Sequence, residues 1–490
     1  MNKKIIINNI GKIILVEVLL MLIPLGISLG YGEYQDAFAF LCAIIPVGIV
    51  SLICIRVKEP NMTLSSRDGY IIVAASWIII SLVGAIPMYI TGAFSSYISA
   101  FFEIVSGFTT TGASVMEEPG VLGHGPQFFR CFSHWIGGMG VLVFVLMIIP
   151  MENDSSMHLV RAEVPGPTAG KLVPRMKTTS RILYGIYTAL TLLLFLLLKI
   201  CGMPVFDAFC YSFGAAGTGG FGITSAGISA YNSYTIEMIV AVFMLLFGVN
   251  FNLYYLILIG KIKEALNTEE LKVYLSIVIF SVVAIFANLY PLYRNFAEVF
   301  RVSFFQVATI ITTTGFATAD FATWPMFSQH ILVLLMIIGA CAGSTAGGMK
   351  VSRIIILWKS MIAEIRGIIN PKQVISVRMN GQPVDKKTLD STRIYVAAYC
   401  ILVGLSVLIL SVNELDFTTN VTAVFACFNN IGPGLSLVGP TANYSCYSDW
   451  AKLILAFLML TGRLEIFPLF MLFARSAHDQ RRPLKLHKRL

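Results

Sequence analysis

Hydrophobic residues in this chain form long uninterrupted runs, separated by short polar and basic segments. Runs of membrane-spanning length are Ile13 to Gly30, Ile71 to Ile90, Tyr274 to Leu289 and Leu453 to Phe473. A helix of about 20 apolar residues crosses a bilayer, and the segments between the runs are too short for an independent soluble domain. The pattern therefore predicts an all-α polytopic membrane protein.

Composition and charge support this prediction and add an orientation. Of the 490 residues 57% are hydrophobic and 12% charged, whereas a soluble domain has roughly 25% charged residues. Short cytoplasmic loops are enriched in Lys and Arg, so the basic segments and both termini are predicted to be cytoplasmic. The net charge of +9 is therefore interpreted as membrane topology, and no nucleic-acid partner is expected. The first run is too long for a secretory signal and lacks a small-residue cleavage site, which predicts a retained span.

Between successive basic segments the apolar sequence is too long for one span and is interrupted near its middle. The interruptions read FTTTGAS, AAGTGGFG, IITTTGFAT and FNNIGPGL. Aligning them places Gly112, Gly219, Gly315 and Gly432 in register. The sequence thus predicts four parallel repeats, each with a span, a short helix, a glycine loop and a second span.

These repeats define the predicted domains. Two N-terminal transmembrane helices occupy 1–67. The pore repeats follow in 68–180, 181–271, 272–391 and 392–490, the third with an intramembrane loop and the fourth with a basic cytoplasmic tail.

Each short apolar piece must enter the membrane and turn back. A helix of about 12 residues is roughly 18 Å long and cannot cross a core of about 30 Å. Non-helical backbone at that depth is tolerated only where protein buries it or where it lines a water-filled path. Four such loops around one axis predict a path for a dehydrated cation whose water shell is replaced by carbonyl oxygens. Glycine permits the required backbone torsions, and a threonine hydroxyl can add a further oxygen ligand. In the alternative interpretation each glycine only forms a turn or a close helix contact.

Several motifs together resemble the TrkH/TrkG/KtrB family of bacterial potassium uptake proteins over nearly the whole chain. They are SGFTTTGAS, HWIGGMGVLVF, RAEVPGP, KLVPR, GVNFNLYY, GACAGSTAGGMKVSR and TGRLEIF. The two spans before the first repeat make the chain more similar to the TrkH branch than to the KtrB branch. The resemblance implies four repeats around a central pore whose potassium-binding filter consists of the carbonyls of Thr110, Thr111, Gly112, Gly217, Thr218, Gly219, Thr313, Thr314, Gly315, Asn430, Ile431 and Gly432.

The fourth loop departs most from the others. Asn430 and Ile431 stand where two loops have threonines, and Pro433 follows the glycine. Loss of fourfold symmetry is expected to leave fewer equivalent ion sites and to weaken discrimination against sodium.

The segment GACAGSTAGGMK in the third repeat is too rich in glycine for a stable helix, because each Gly costs about 1 kcal/mol relative to Ala. It does not meet the phosphate-loop pattern, since Met349 precedes Lys350. A small-residue packing surface is the alternative. The resemblance implies a gate that obstructs the pore when closed, formed by Gly339, Gly343, Ser344, Thr345, Gly347, Gly348, Lys350 and Arg463.

Charged residues near the predicted pore have two interpretations each. An arginine at bilayer centre costs about 2.5 to 3.5 kcal/mol on insertion scales. The resemblance places Arg463 in the pore beneath the filter, and a local pair with Glu465 is the alternative. Four carboxylates are expected near the starts of the short helices, where they would cap the helix or attract cations; they are Glu103, Asp207, Glu298 and Asp416.

Potassium uptake is the predicted function, with potassium as the transported ligand and no organic cofactor on this chain. A sodium- or proton-coupled symporter and, less favoured, a transporter of a small organic solute remain alternatives. No enzyme is expected, because no nucleophile, metal cluster or acid–base pair is recognisable.

The resemblance also implies partners and a location. They are a homodimer, a cytosolic TrkA-like ring that binds nucleotides, and the bacterial inner membrane. The basic cytoplasmic segments could instead contact anionic membrane lipid.

Overall fold

The structure, a computed structural model, describes residues 3–57, 66–140, 176–371 and 376–472. Two antiparallel helices, Lys3–Tyr31 and Tyr34–Arg56, form the N-terminal helix pair. Polar contacts hold the pair together within the membrane: the Ser51 hydroxyl donates to the Gly11 carbonyl over 2.9 Å. The motifs RAEVPGP and KLVPR and the basic tail lie outside the described residues.

Four units of the same construction follow, and each begins with an opening helix of 25 residues. The opening helices are Ser66–Ile90, Met176–Ile200, Glu269–Tyr293 and Lys386–Leu410. Each is followed by a short helix, and these are Tyr97–Phe108, Val205–Gly217, Phe296–Ile311 and Phe417–Phe428. The predicted order of span, short helix and glycine loop is confirmed in all four units.

A closing helix completes each unit, and in the second to fourth units it is broken. In the first unit the described part of the closing helix is His124–Gly138. The second bends by 90° between Tyr234–Phe247 and Phe251–Leu258 and leads to Ile262–Leu266. The third comprises Met326–Ile338 and Val351–Ile369, and the fourth Asp449–Arg463 and Phe467–Phe470.

A two-stranded antiparallel hairpin, Arg378–Met379 with Gln382–Pro383, joins the third unit to the fourth. Six described helices are long and apolar enough to cross a membrane, or seven if the bent pair counts as one span. The chain is a multi-pass helical membrane protein. The exact limits of the predicted domains stay a prediction.

Side chains cap three of the four short helices, and the caps are Ser96, Asn295 and Asp416. This tests the expectation for the four carboxylates. Asp416 caps the fourth short helix by accepting the Thr419 N–H over 2.9 Å, as predicted. Asp207 and Glu298 lie in first turns. The expectation for Glu103 is wrong, because Glu103 lies in the middle of the first short helix and is fully buried.

Candidate ion-binding site

The four short helices end in the same backbone motif, which turns the chain into the glycine loop. In the first unit the Thr111 N–H donates to the Ser106 carbonyl over 2.8 Å and the Thr110 N–H to that of Gly107 over 3.1 Å. This 6→1 and 5→2 pairing is the Schellman motif. It recurs in the other units with Gly219, Thr314 and Ile431 as the 6→1 donors.

A non-glycine residue takes the left-handed conformation at each of these helix ends. These residues are Thr110, Thr218, Thr313 and Asn430, with φ between 55° and 57°. The glycine two positions later also has positive φ in every unit, and these glycines are Gly112, Gly220, Gly315 and Gly432.

This geometry corrects the predicted alignment of the second loop by one residue. The positions matching Thr110, Thr111 and Gly112 are Thr218, Gly219 and Gly220, so the alignment of Gly219 with Gly112 is wrong. Gly217 is the last residue of the short helix.

The glycines close a ring through all four units. A Cβ atom on Gly112 would overlap the carbonyl oxygen of Gly219, and one on Gly220 would overlap that of Thr314. Gly315 meets the Ile431 carbonyl in the same way, and a Cβ on Gly432 would lie 2.8 Å from the Thr111 carbonyl oxygen. Each loop thus presents a carbonyl to the glycine of the preceding unit, and the fourth unit returns to the first. Only glycine fits this approach of backbone to backbone.

His134 explains why the second loop has glycine where the others have Thr111, Thr314 and Ile431. A side chain on Gly219 would overlap the His134 imidazole. The Phe221 N–H donates to His134 Nε2 over 3.3 Å, which leaves Nδ1 to donate to the Gly107 carbonyl over 2.8 Å. The buried ring therefore joins the first short helix to the second loop.

A fully buried ion pair supports the same two loops. Arg130 Nε donates to Glu103 Oε1 over 2.6 Å, and Arg130 Nη1 donates to the Gly222 carbonyl over 2.8 Å. Glu103 also accepts from the Ser114 hydroxyl and the Val115 N–H, each over 2.9 Å. All charges are paired and hydrogen-bonded, as a buried ion pair requires.

A cavity of about 140 Å³ lies beside the four glycines of the ring. It is lined by residues from all four units, among them Gly112, Gly220, Gly315 and Gly432.

Asp416 lies outside the spans in the fourth unit. Slight burial would raise the pKa of Asp416, but hydrogen bonds from Thr419 and Ser436 outweigh it and hold that pKa below its ordinary value.

On the other side of the loops lies the segment Gly339–Lys350, which is not helical, as predicted. It is called the gate segment after the role that the family resemblance implies for it. It contacts the helix ends directly. The Gly347 N–H donates to Thr313 Oγ1 over 2.6 Å, and the Gly348 N–H donates to the Asn429 carbonyl over 3.1 Å. The gate segment thus lies against the third and fourth loops, opposite the cavity lined by the four glycines.

Arg463 connects three units beneath the loops. Its Nη1 donates to the Thr345 carbonyl of the gate segment over 3.0 Å, and its Nη2 donates to the Gly137 and Gly138 carbonyls over 2.5 and 2.6 Å. The guanidinium therefore joins the backbones of the first and third units to the fourth. Glu465 pairs instead with Arg353 over 2.5 Å.

Glu270 links the gate segment to the first turn of the helix that follows it. Its Oε1 accepts the N–H of Ala342 over 2.7 Å and that of Ser352 over 3.1 Å. Lys350 is buried, and its ammonium donates to the Ala346 carbonyl within the segment.

Sequence reasoning missed His134, the Glu103–Arg130 pair, Glu270 and Arg353. Charge inside an apolar run is a usable signal for Glu103, since such residues are rare and functional or paired. Nothing in the chain pattern links any of these residues to its partner.

Fold and site together define a class: a membrane protein with four pore-loop units closed around one axis. Residues 35–482 match the TrkH family, described as a cation transport protein. The chain belongs to this family, and the resemblance drawn from its motifs is confirmed.

Individual relatives agree over almost the whole length. The Trk system potassium uptake protein TrkG of Escherichia coli K12 is 33% identical, with 95% of this chain and 96% of the relative covered. TrkH of Salmonella typhimurium LT2, with the same system description, is 34% identical, with 92% and 94% covered. The crystal structure of the potassium transporter TrkH from Vibrio parahaemolyticus has a TM-score of 0.87 at 30% identity, with 97% of this chain and 99% of that chain covered. These relatives are transport proteins rather than enzymes, as the sequence predicts.

Proposed function

We propose that the protein takes up potassium ions through the four glycine loops. The observation that carries the proposal is the closed ring, in which each loop presents a carbonyl to the glycine of the preceding unit. Carbonyl rings replace the water shell of a dehydrated monovalent cation. The relatives named as potassium uptake proteins support potassium as that cation.

The proposed ion ligands follow the corrected register. They are the backbone carbonyls of Thr110, Thr111, Gly112, Thr218, Gly219, Gly220, Thr313, Thr314, Gly315, Asn430, Ile431 and Gly432. Gly217 is no longer in this set, because it ends the short helix.

We also propose that the gate segment and Arg463 close the path. The gate segment lies directly against two of the loops, and Arg463 holds its Thr345 carbonyl. A fixed positive charge near the axis raises the barrier for a cation.

The proposed partners are those that the family resemblance implies. We propose a homodimer in the bacterial inner membrane with cytoplasmic termini, regulated by a cytosolic TrkA-like ring that binds nucleotides. Its effect would reach the pore through the gate segment.

The deciding experiment is the reversal potential in proteoliposomes under potassium and sodium gradients, for wild type, Gly315→Ser and Gly404→Ser. Gly315 has φ +85° and is packed against the Ile431 carbonyl, whereas Gly404 has open space around it. We expect a potassium-selective wild type, loss of selectivity in Gly315→Ser and no change in Gly404→Ser. Absence of cation current and flux in the wild type, with or without a regulatory subunit, would overturn the proposal.

A further inference from the structure

Glu17 is a buried carboxyl group in the middle of the first N-terminal helix. That helix has 29 residues, so Glu17 lies roughly 20 Å from either end. Only 5% of the residue is exposed. Neither carboxyl oxygen has a hydrogen-bond partner among the described residues.

The side chain lies beside the first pore unit. Around Gly84 of the first opening helix three groups converge: a Cβ there would lie 2.9 Å from Ile104, 3.3 Å from Phe108 and 3.4 Å from Glu17 Oε1. Phe108 is the last residue of the first short helix. Glu17 is therefore close to the helix whose end carries Thr110.

Most charged groups on the helices around Glu17 are engaged elsewhere or lie near helix ends. Lys12 is the exception: it lies five residues before Glu17 on the same helix, and neither Glu17 oxygen has a hydrogen bond to it. The helix of Glu17 carries Lys3, Lys4 and Lys12, the second helix of the pair carries Asp36 and Arg56, and the opening helix carries Arg67 and Asp68. In the first unit, Glu103 pairs with Arg130, His134 bonds Gly107 and Phe221, and His124 pairs with Glu33.

An ionised carboxylate without a partner is strongly disfavoured at membrane depth, whereas the neutral acid is tolerated. We propose that Glu17 is a proton-binding site within the membrane, held as the carboxylic acid against the first pore unit, and that loss of its proton lowers potassium uptake. The second half of this proposal rests on the proposed function; the first half does not.

Ionisation would require water or a counter-ion to reach Glu17. Either must enter between the N-terminal helix pair and the first unit, where Glu17, Ile104 and Phe108 now pack around Gly84. The helix pair would then separate from the first short helix, and the Thr110 loop would lose its support.

Infrared difference spectroscopy on the full protein in liposomes tests the bound proton. The carbonyl-stretch band of a protonated carboxylic acid is expected in wild type, absent in Glu17→Gln and unchanged in Glu364→Gln, whose side chain is exposed. Equal spectra for wild type and Glu17→Gln would overturn the proposal. Glu17→Met provides a second neutral variant of similar size if the amide does not fold.

Potassium flux at neutral and alkaline pH tests the consequence. We expect a several-fold loss at alkaline pH in wild type and in Glu364→Gln but not in Glu17→Gln, because the amide cannot ionise. The same pH profile in all three would overturn the link to transport. Absence of potassium flux in every variant at every pH would refute the proposed function, while the infrared band would still decide the proton site.

Discussion

At the scale of single residues, the left-handed positions Thr110, Thr218, Thr313 and Asn430 carry both strain and contacts. A non-glycine residue in this conformation costs about 1 to 2 kcal/mol. Three of the side chains make contacts that glycine could not make. Thr313 Oγ1 accepts from the gate segment, and Asn430 Nδ2 donates to Thr111 Oγ1 over 2.9 Å. The Thr218 hydroxyl donates to the Gly217 carbonyl over 2.6 Å. Strain retained at such positions is typical of functional sites.

Gly220→Ala is expected to reduce selectivity for potassium over sodium, because its Cβ would push the Thr314 carbonyl out of the ring. The strain of a left-handed alanine adds about 1 to 2 kcal/mol. Reversal potentials under mixed gradients measure the change. Gly185→Ala is the matched control, since nothing lies within 4 Å of its added Cβ. Unchanged selectivity in Gly220→Ala would contradict the corrected register.

The same position marks a limit of sequence reasoning. The string GTGGFG contains four glycines, and local pattern cannot choose among them. The choice depends on His134, which lies 87 residues before Phe221 in the chain and occupies the space beside Gly219. The glycine loops themselves were predictable because they interrupt apolar runs.

Arg463→Ala is expected to increase potassium flux by about tenfold, since it removes a fixed charge from the path and three bonds that hold helix ends and gate segment. Hydrogen bonds to charged groups contribute about 1.5 to 3 kcal/mol each. Flux of ⁴²K⁺ or ⁸⁶Rb⁺ into proteoliposomes is the measurement. Arg366→Ala, at the exposed end of the third closing helix, controls for loss of charge. Equal flux in wild type and Arg463→Ala would exclude Arg463 from the barrier.

At the scale of elements, the gate segment is held from outside its own helix. Glu270, at the start of the third opening helix, accepts from Ala342 within it and from Ser352 just after it. The neighbouring Glu269 exchanges backbone and side-chain hydrogen bonds with Asn380 of the hairpin, over 2.8 and 3.2 Å. One turn of helix therefore contacts both the gate segment and the hairpin between the third and fourth units.

Glu270→Ala is expected to favour the open state, because two charge-assisted bonds to Ala342 and Ser352 are lost. With about 1.5 kcal/mol from each bond, flux through a mostly closed protein rises by an order of magnitude or more. Single-channel recording distinguishes open probability from conductance, and only open probability should change. Glu264→Ala, an exposed carboxylate paired with Lys261, should behave as wild type. An unaltered open probability would refute the role of Glu270.

The break in the third closing helix was predictable, whereas its anchors were not. Four glycines between 339 and 348 oppose a helix on propensity alone. The hydrogen-bond partners of the freed backbone groups depend on packing between units that are distant in sequence. Arg463 and Thr345, for example, are 118 residues apart.

At the scale of the whole molecule, the four units form one ring that is continuous but unequal. A Cβ atom added to Gly112, Gly220 or Gly315 would lie closer to the facing carbonyl oxygen than one added to Gly432 would lie to the Thr111 carbonyl oxygen. The fourfold repetition could be predicted from the sequence, because the interrupted apolar segments and the basic segments between them recur four times. The unequal closure depends on coordinates of loops from different units.

Replacing potassium by N-methylglucamine is expected to lower the thermal unfolding temperature, because a ligand bound only by the folded protein stabilises it. The stabilisation is about 2.7 kcal/mol at a hundredfold excess over Kd. Fluorescence-detected unfolding in detergent measures this, with sodium giving an intermediate value. In Gly315→Ser the difference between the ions should shrink. Identical unfolding temperatures in both salts would argue against ion binding by the ring.

The bend in the second closing helix leaves backbone groups whose hydrogen-bond partners lie in the gate segment. At this bend the Gly248 carbonyl accepts from Cys341, the Phe251 N–H donates to Gly343, and the Phe247 carbonyl accepts from Thr345. A gate segment that moves away leaves these groups exposed at membrane depth, where unpaired backbone is not tolerated. If the gate segment opens the pore as proposed, opening must hydrate the bend. The equilibrium between closed and open protein is then expected to depend on water activity, with osmotic stress favouring the closed form.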